Sequence, residues 1–455
     1  MRPGWAVVLM IAAPFGARVI ASCDDDAGLT PTGADASDAQ PVRDVQVSEA
    51  SDAGGDAAAS GDWVHLPGAP EDCEIDVPRT PAAWPEPIEW EPCGNALAGC
   101  RKMKTAWPVS TVPGLGHIVP LAEGGRSSAG TPLLMFARGS GRYIFRLVAD
   151  PDTRVLAALR QDANPPAARC VPYPYNTASD RYSYTLVENL SDGKARGYAA
   201  IVGELADGGG PRIALRVLTS DPAGPADLAG SAGLIRLYGK LTLHDWLAPD
   251  TTPTFLGPTD EGAPGLVFPV GDAIFWSSSS LWAMKHKVWT RAGGSRDFLT
   301  FGADTTKGAA NLGTDGKDMV WLEGSGRLGT SSPLFPVVTA KTAPFVTDPG
   351  QIVARSLRSD ISPYGVAGST FKVGCGYAAW APGAYPLGDG GTATGIQVLR
   401  VADGYDAALL NLGGSWTWTQ PLLVTCDELF ALGNENGLAN IVRIPLTSLG
   451  PWRAP

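Results

Sequence analysis

The sequence predicts an all-β chain assembled by internal repetition. From about residue 113 onward, short apolar runs alternate with Gly, Pro, Asp and Asn, and little of the 3.6-residue periodicity of helices is present. Glycine and proline number 56 and 39 among 455 residues, well above ordinary usage, while Lys and Glu, the residues of long surface helices, are scarce. That composition excludes a helical bundle or coiled coil. A strand type also recurs, with successive ends 45, 59 and 51 residues apart at Trp276, Trp321, Trp380 and Ala431.

The first element is an export signal. Arg2 gives a positive start, and Trp5 to Ala13 is an apolar run too short to cross about 30 Å of hydrocarbon but long enough for the core of a signal peptide. Ile20-Ala21-Ser22-Cys23 follows. It resembles the bacterial lipobox, with Arg18 a departure from the usual apolar approach to the cut. The resemblance implies that residues 1–22 are removed, that the Cys23 thiol carries diacylglycerol and that its freed amine is acylated. Several acyl chains, at about 0.8 kcal/mol per buried CH₂, anchor a protein stably. The alternative is a plain secretory signal with an incidental cysteine.

Residues 23–62 form the second element. The net charge of −11 is concentrated here: residues 24–76 hold 14 acids and one base, Arg43, whereas 77–455 is neutral. Residues 24–62 have no aromatic side chain, and 27 of the 39 are Asp, Ala, Gly or Ser. Such a stretch lacks the apolar surface to offset its ordering entropy, so a disordered tether of roughly 35 Å is expected. Asp24-Asp25-Asp26 directly after Cys23 has the place of a sorting signal, which in some bacteria favours inner-membrane retention and in others surface export; the expected location is a bacterial cell envelope, with the outer membrane or cell surface ranked ahead of the inner membrane. Without a cluster of Lys and Arg, a nucleic-acid partner is excluded.

Residues 63–112 read as a Cys- and Pro-rich lead-in. Setting Cys23 aside leaves six cysteines, Cys73, Cys93, Cys100, Cys170, Cys375 and Cys426, an even number as a disulfide framework in an exported chain requires. Cys93 and Cys100 bracket a Gly-containing loop that suits a local bridge; the other pairings stay open among the 15 connectivities of six cysteines. No CxxC pair or adjacent histidine supports zinc, and no metal or cofactor is expected.

Residues 113–455 carry the repeats. Thr314-Asp315-Gly316-Lys317-Asp318-Met319-Val320-Trp321 resembles the TolB-type β-propeller repeat, in which a turn with Asp-Gly-Lys leads into a strand ending in an aromatic residue. Weaker copies are Val270 to Trp276, Val373 to Trp380 and Thr425 to Ala431. A second element carries Arg near the end of an apolar run, as in Tyr143 to Leu147, Ile213 to Val217, Ile396 to Val401 and Ile441 to Ile444. These arginines are expected at solvated or blade-edge positions. Inner strands ending near Phe136, Ile201, Trp276, Trp321, Trp380 and Ala431 give a six-bladed propeller, with seven as the alternative if Leu234 to Trp246 hides a further blade. The resemblance implies the fold only. Trp276, Trp321 and Trp380 are expected between blades, and Asp348 to Arg358 reads as a short helix or a strand.

Motifs for chemistry are missing. There is no GxSxG, HExxH, GxxxxGK[ST] or EF-hand loop, so no catalytic residue is assigned. Trp246, Trp282, Tyr385, Trp416 and Trp418 lie near Gly, Pro or Ser and are candidate loop aromatics for a binding surface, with burial between blades as the alternative. The expected function is a lipid-anchored, non-catalytic envelope protein whose propeller binds or scaffolds a protein or glycan partner. The alternative is a hydrolase or lyase that acts on an extracellular polymer.

Overall fold

The computed structural model describes residues 63–65, 75–78, 88–94, 97–104, 107–108, 122–126, 132–140, 143–150, 152, 154–162, 170–178, 181–189, 195–202, 213–220, 234–237, 240–243, 254–258, 267–270, 273–277, 285–290, 292–301, 307–325, 337–361, 371–381, 385–386, 391–411, 416–436 and 438–455. The signal peptide, Cys23 and the acidic tether lie outside these residues.

The chain is a β-propeller of antiparallel sheets, and seven sheets of three or more strands occur among the described residues. Sheet I contains Ala122–Arg126, Pro132–Ser140, Tyr143–Asp150 and Arg154–Asp162. Sheet II is Cys170–Ala178, Arg181–Asn189, Ala195–Val202 and Ile213–Ser220. Sheet III, with Leu234–Leu237, Lys240–Leu243 and Thr254–Pro258, falls on the segment set aside for a further blade. Sheet IV is Val267–Val270, Ala273–Ser277, Lys285–Thr290 and Gly294–Thr300, and sheet V is Lys307–Thr314, Asp318–Ser325, Val337–Pro344 and Arg355–Ile361. Sheet VI is Phe371–Gly374, Tyr377–Trp380, Gly395–Arg400 and Asp406–Leu410. Sheet VII begins with Trp416–Val424, Glu428–Glu435 and Leu438–Pro445.

The first strands of sheets V, VI, VII, I and II touch in that order, which places them innermost. This corrects the reading of the aromatic-ending strands as inner ones. Phe136, Trp276, Trp321, Trp380 and Ala431 all lie on second strands, and Ile201 on a third. Second strands are flanked by a strand on each side and a sheet on each face, so they carry the longest apolar runs and dominate a sequence search. Trp276, Trp321 and Trp380 are 7%, 2% and 0% exposed, in keeping with a role in the core.

The core lies between neighbouring sheets. One apolar cluster joins IV to V through Phe275, Val288, Leu312 and Trp321; a second joins V to VI through Val320, Leu322, Trp380 and Leu399. A third joins VI to VII through Ile396, Val398, Leu429 and Val442, and a fourth joins VII to I through Phe430, Ile441, Leu134 and Phe136. Alternation along Glu428–Glu435 explains how one strand serves two clusters, since Leu429 and Ala431 face VI while Phe430 faces I. Sheets VI and VII approach so closely that a Cβ on Gly374 would stand 2.0 Å from the Val424 carbonyl oxygen.

The segment expected as a lead-in instead adds strands to the two sheets that meet where the ring closes. Ile75–Pro78 pairs with Arg154–Asp162, and Trp63–His65 pairs with Ile75–Pro78, on the outer edge of sheet I. Arg101–Met103 pairs with Leu438–Pro445, and Trp90–Pro92 pairs with Arg101–Met103, on the outer edge of sheet VII. Trp107–Pro108 also pairs with Leu438–Pro445. Side chains secure these strands: Arg160 Nε donates to Asp76 at 3.0 Å, and Lys102 Nζ meets Glu435 at 2.6 Å. Both exposed edges are thereby covered by the chain's own N-terminal part.

Asp348 to Arg358 divides between two states. Asp348 accepts from the Gly350 N–H and caps a single turn, Pro349–Gln351, and the outermost strand of sheet V then begins at Arg355. A small hairpin, Tyr385–Pro386 with Thr392–Ala393, lies outside the sheets.

Candidate functional site

A cleft of about 780 Å³ lies over one end of sheet VII. Sheet VI supplies Tyr377 and Arg400, sheet VII supplies Glu428, Phe430, Arg443 and the turn Thr425 to Asp427, and the C-terminal segment supplies Trp452. Asp152 reaches it from the turn between the third and fourth strands of sheet I.

Strand register builds the wall nearest sheet I. Phe430 is paired with Arg443 and Glu428 with Pro445, so the two-residue alternation places Glu428, Phe430 and Arg443 on one face. The Arg443 side chain is only 8% exposed. Its Nε donates to Glu428 Oε2 at 2.9 Å, its Nη2 bonds the same carboxylate, and Nη2 also meets Asp152 Oδ1 at 2.7 Å. Its guanidinium carbon stands 5.2 Å from the Trp90 ring centre and 5.1 Å from that of Phe430. Burial alone would lower the Arg443 pKa; the hydrogen bonds to Glu428 and Asp152 outweigh it and raise the pKa.

The opposite wall belongs to sheet VI. Arg400 is held by Asp403, Nη2 to Oδ2 at 2.6 Å and Nε to Oδ1 at 2.8 Å. It lies over Tyr405 and Trp452, 5.1 and 5.4 Å from their ring centres. Tyr377 and Trp452 stand 6.3 Å apart with their planes 44° apart. The hydrogen bond to Asp403 raises the Arg400 pKa, and the same bond lowers that of Asp403.

The rim is fixed covalently. Cys375, in the turn between the first two strands of sheet VI, is joined to Cys426, in the equivalent turn of sheet VII. Thr425 shapes that second turn, its hydroxyl accepting from the Glu428 N–H at 2.9 Å and the Asp427 N–H at 3.4 Å. Asp427 is exposed, and its carboxylate takes part in no ion pair among the described residues. No group of three or more His, Cys, Asp or Glu able to hold a metal ion occurs among the described residues.

The residues singled out from the sequence are scattered. Cys93 and Cys100 are bridged, with Cα atoms 5.5 Å apart, and close the loop between the two added strands of sheet VII. Cys23, Cys73, Trp246 and Trp282 lie outside the described residues. Cys170 opens the first strand of sheet II and Tyr385 lies in the small hairpin; their side chains are outside the described residues. Trp416 and Trp418 are strand residues rather than loop residues, stacked with centres 5.5 Å apart, and Trp418 is 7% exposed. They share one face because they are two residues apart, and the pair packs where Gly433 leaves room: a Cβ there would stand 2.8 Å from the Trp416 ring. The aromatics that do line or back the cleft, Tyr377, Trp452 and Trp90, were not singled out. Neither were Arg400 and Arg443, although both carry the recurrent Arg of the third strands. That repetition is the available signal; the expected solvated or blade-edge position holds for Arg400, whose side chain is 36% exposed, and not for Arg443, whose side chain is 8% exposed.

No family model matches the chain, and no curated protein matches it by sequence. Solved structures similar to it include the β-propeller domain of the Trilobed protease from Pyrococcus furiosus, at 8% identity and TM-score 0.41 over 63% of this chain and 83% of that one. The WD40 domain of SCAP from fission yeast is similar at 10% identity and TM-score 0.37, over 83% of this chain and 98% of that one. A post-proline cleaving enzyme from Rickettsia typhi is similar at 9% identity and TM-score 0.36, over 70% and 50% of the two chains.

Proposed function

We propose that the protein is a lipid-anchored component of a bacterial cell envelope whose propeller binds or scaffolds a protein or glycan partner without catalysing a reaction. Ile20-Ala21-Ser22-Cys23 supports the anchor, and the bridges Cys93–Cys100 and Cys375–Cys426 accord with an oxidising compartment. The observation that carries the binding reading is the cleft itself: a preformed site whose cations are already paired and stacked against aromatic rings. Intact mass of the detergent-extracted protein, with and without reductant and alkylation, tests the anchor. A chain that begins at Cys23 with acyl mass supports it, and a chain that retains residues 1–22 overturns it.

A second reading, a hydrolase or lyase on an extracellular polymer, is favoured by the three carboxylates Asp152, Asp427 and Glu428 along one cleft. Against it, Asp152 and Glu428 are both bonded to Arg443, whereas glycoside hydrolysis uses two available carboxyl groups. Release of oligosaccharides from cell-wall or capsular polymer by the purified protein, lost in Asp427→Asn, would establish the second reading in place of the first.

A further inference from the structure

We infer that the cleft over sheet VII is a binding site for a short neutral oligosaccharide, stacked on Trp452 and Tyr377. This assignment rests on the binding reading above and narrows its ligand.

The volume of about 780 Å³ lies within the range of preformed small-ligand sites, roughly 300–1,000 Å³. Charge then restricts the ligand. Arg443 is nearly buried and held by two carboxylates, and Arg400 is bonded twice by Asp403. An anionic ligand would gain little here, because both cations are already neutralised by carboxylates of the protein. A cationic ligand would find, among the described lining residues, only one carboxylate without an ion pair, that of exposed Asp427. Compensated charge and aromatic faces suit a ligand with hydroxyl groups on its edges and C–H groups on its faces, which is the chemistry of a pyranose.

The platform is rigid before any ligand arrives. Trp452 precedes Arg453, whose guanidinium meets the buried Asp406 carboxylate at 3.0 Å and whose backbone pairs with Asp406. Tyr377 and Arg400 also stand against the indole, 6.3 and 5.4 Å from its ring centre. An aromatic surface fixed in advance loses little side-chain entropy on binding. Asp427 and the exposed Thr447 hydroxyl stand on the same lining, where they can meet sugar hydroxyls.

The test is a glycan array of neutral, acidic and amino-sugar oligosaccharides probed with the full mature protein. The strongest neutral binder is then titrated calorimetrically at low and high salt. The expected result is binding of neutral glycans that is insensitive to salt. Affinity should fall about tenfold or more in Trp452→Ala and severalfold in Asp427→Ala, an exposed substitution that leaves the melting temperature unchanged. Binding only of acidic or amino glycans, or binding indifferent to both substitutions, overturns the assignment, as does an array without a neutral binder. Crosslinking of the same proteins in envelope extracts separates the two levels of inference. A protein partner captured equally by wild type and Trp452→Ala would retain the binding reading and discard the oligosaccharide; neither kind of ligand would discard both.

Discussion

The carboxylate of Asp315 binds the backbone of Gly376 across the boundary between sheets V and VI, Oδ2 accepting from the N–H at 3.1 Å. Its other oxygen accepts from the N–H groups of Lys317 and Asp318, each at 2.9 Å, and shapes the turn of its own sheet. One sheet further on, the disulfide Cys375–Cys426 joins the next pair of equivalent turns. Three consecutive sheets are thus clipped together at one end, first by a side chain and then by a covalent bond. In sheet VII the position of Asp315 is taken by Thr425, which keeps the turn-forming bonds to its own sheet.

The Asp315 clip predicts an acid-sensitive contribution to stability. Burial would raise the carboxyl pKa, but the backbone N–H groups of Asp318, Lys317 and Gly376 outweigh it and hold the pKa below 3.8. A depressed folded pKa stabilises the protein above the unfolded value and loses that contribution as pH falls through the folded one. Asp315→Ala should cost about 1–3 kcal/mol at neutral pH, and Asp315→Asn less, because the amide oxygen keeps part of the bonding. Urea denaturation from neutral pH to below pH 3.8 checks both, and the Ala variant should lose less stability on acidification.

The two bridges should contribute unequally. They close loops of 51 and 7 residues, and the loop-entropy relation gives about 4 kcal/mol for Cys375–Cys426 against about 2 kcal/mol for Cys93–Cys100. Paired Cys→Ser variants compared by chemical denaturation measure the difference. The Cys375→Ser, Cys426→Ser protein should be the less stable and should also lose ligand affinity, since its bridge forms the rim of the cleft.

His286 should give a separate pH dependence. The side chain is 2% exposed on the third strand of sheet IV, with a hydrogen bond to the Ala309 backbone and no partner at Nε2. Burial lowers its pKa from 6.5 to about 4. Between these values the unfolded chain binds the proton and the folded chain does not, so stability falls as pH drops through that window and levels off below it. The total is about 3 kcal/mol. In His286→Phe the decline over this window should disappear while the Asp315 step below it remains; an unchanged slope would refute the assignment.

The parts of the fold legible in the sequence are those written in local pattern. Asp318–Ser325 is visible because an Asp-Gly-Lys turn precedes an apolar run, and Cys93–Cys100 because seven residues including Gly94 bring the sulfurs together. Cys375–Cys426 is not visible, since it depends on two turns 51 residues apart meeting across a sheet boundary. The strands at Ile75–Pro78 and Arg101–Met103 are four and three residues long, too short to show periodicity, and their partners in sheets I and VII, Arg154–Asp162 and Leu438–Pro445, lie far along the chain. The cleft is hidden for the same reason. Asp152, Arg400, Arg443 and Trp452 come from three sheets and the C-terminal segment, and nothing in their spacing announces that they meet.

The pair Arg358 and Asp406 ties that C-terminal segment to the propeller. Arg358, on the outer strand of sheet V, and Asp406, on the outer strand of sheet VI, bond directly with side chains 1% and 0% exposed. Asp406 also accepts from Gln397 Nε2 at 2.7 Å and from Arg453 at 3.0 and 3.1 Å, so both its oxygens are filled. Removing the carboxylate leaves a buried guanidinium without one of its two counter-charges, the fully buried one, and Asp406→Ala should cost about 3–5 kcal/mol in urea denaturation. Arg358 keeps Asp360 as a second partner, at 2.6 and 2.7 Å, which holds the cost toward the lower end. Arg453→Ala should cost less, because that side chain is 34% exposed and Arg358 still neutralises Asp406. Its effect should instead appear at the cleft, where the neighbouring Trp452 loses its anchor, so ligand affinity should fall more than stability. A double variant with apolar residues at 358 and 406 should be more stable than Asp406→Ala alone, since neither buried charge remains.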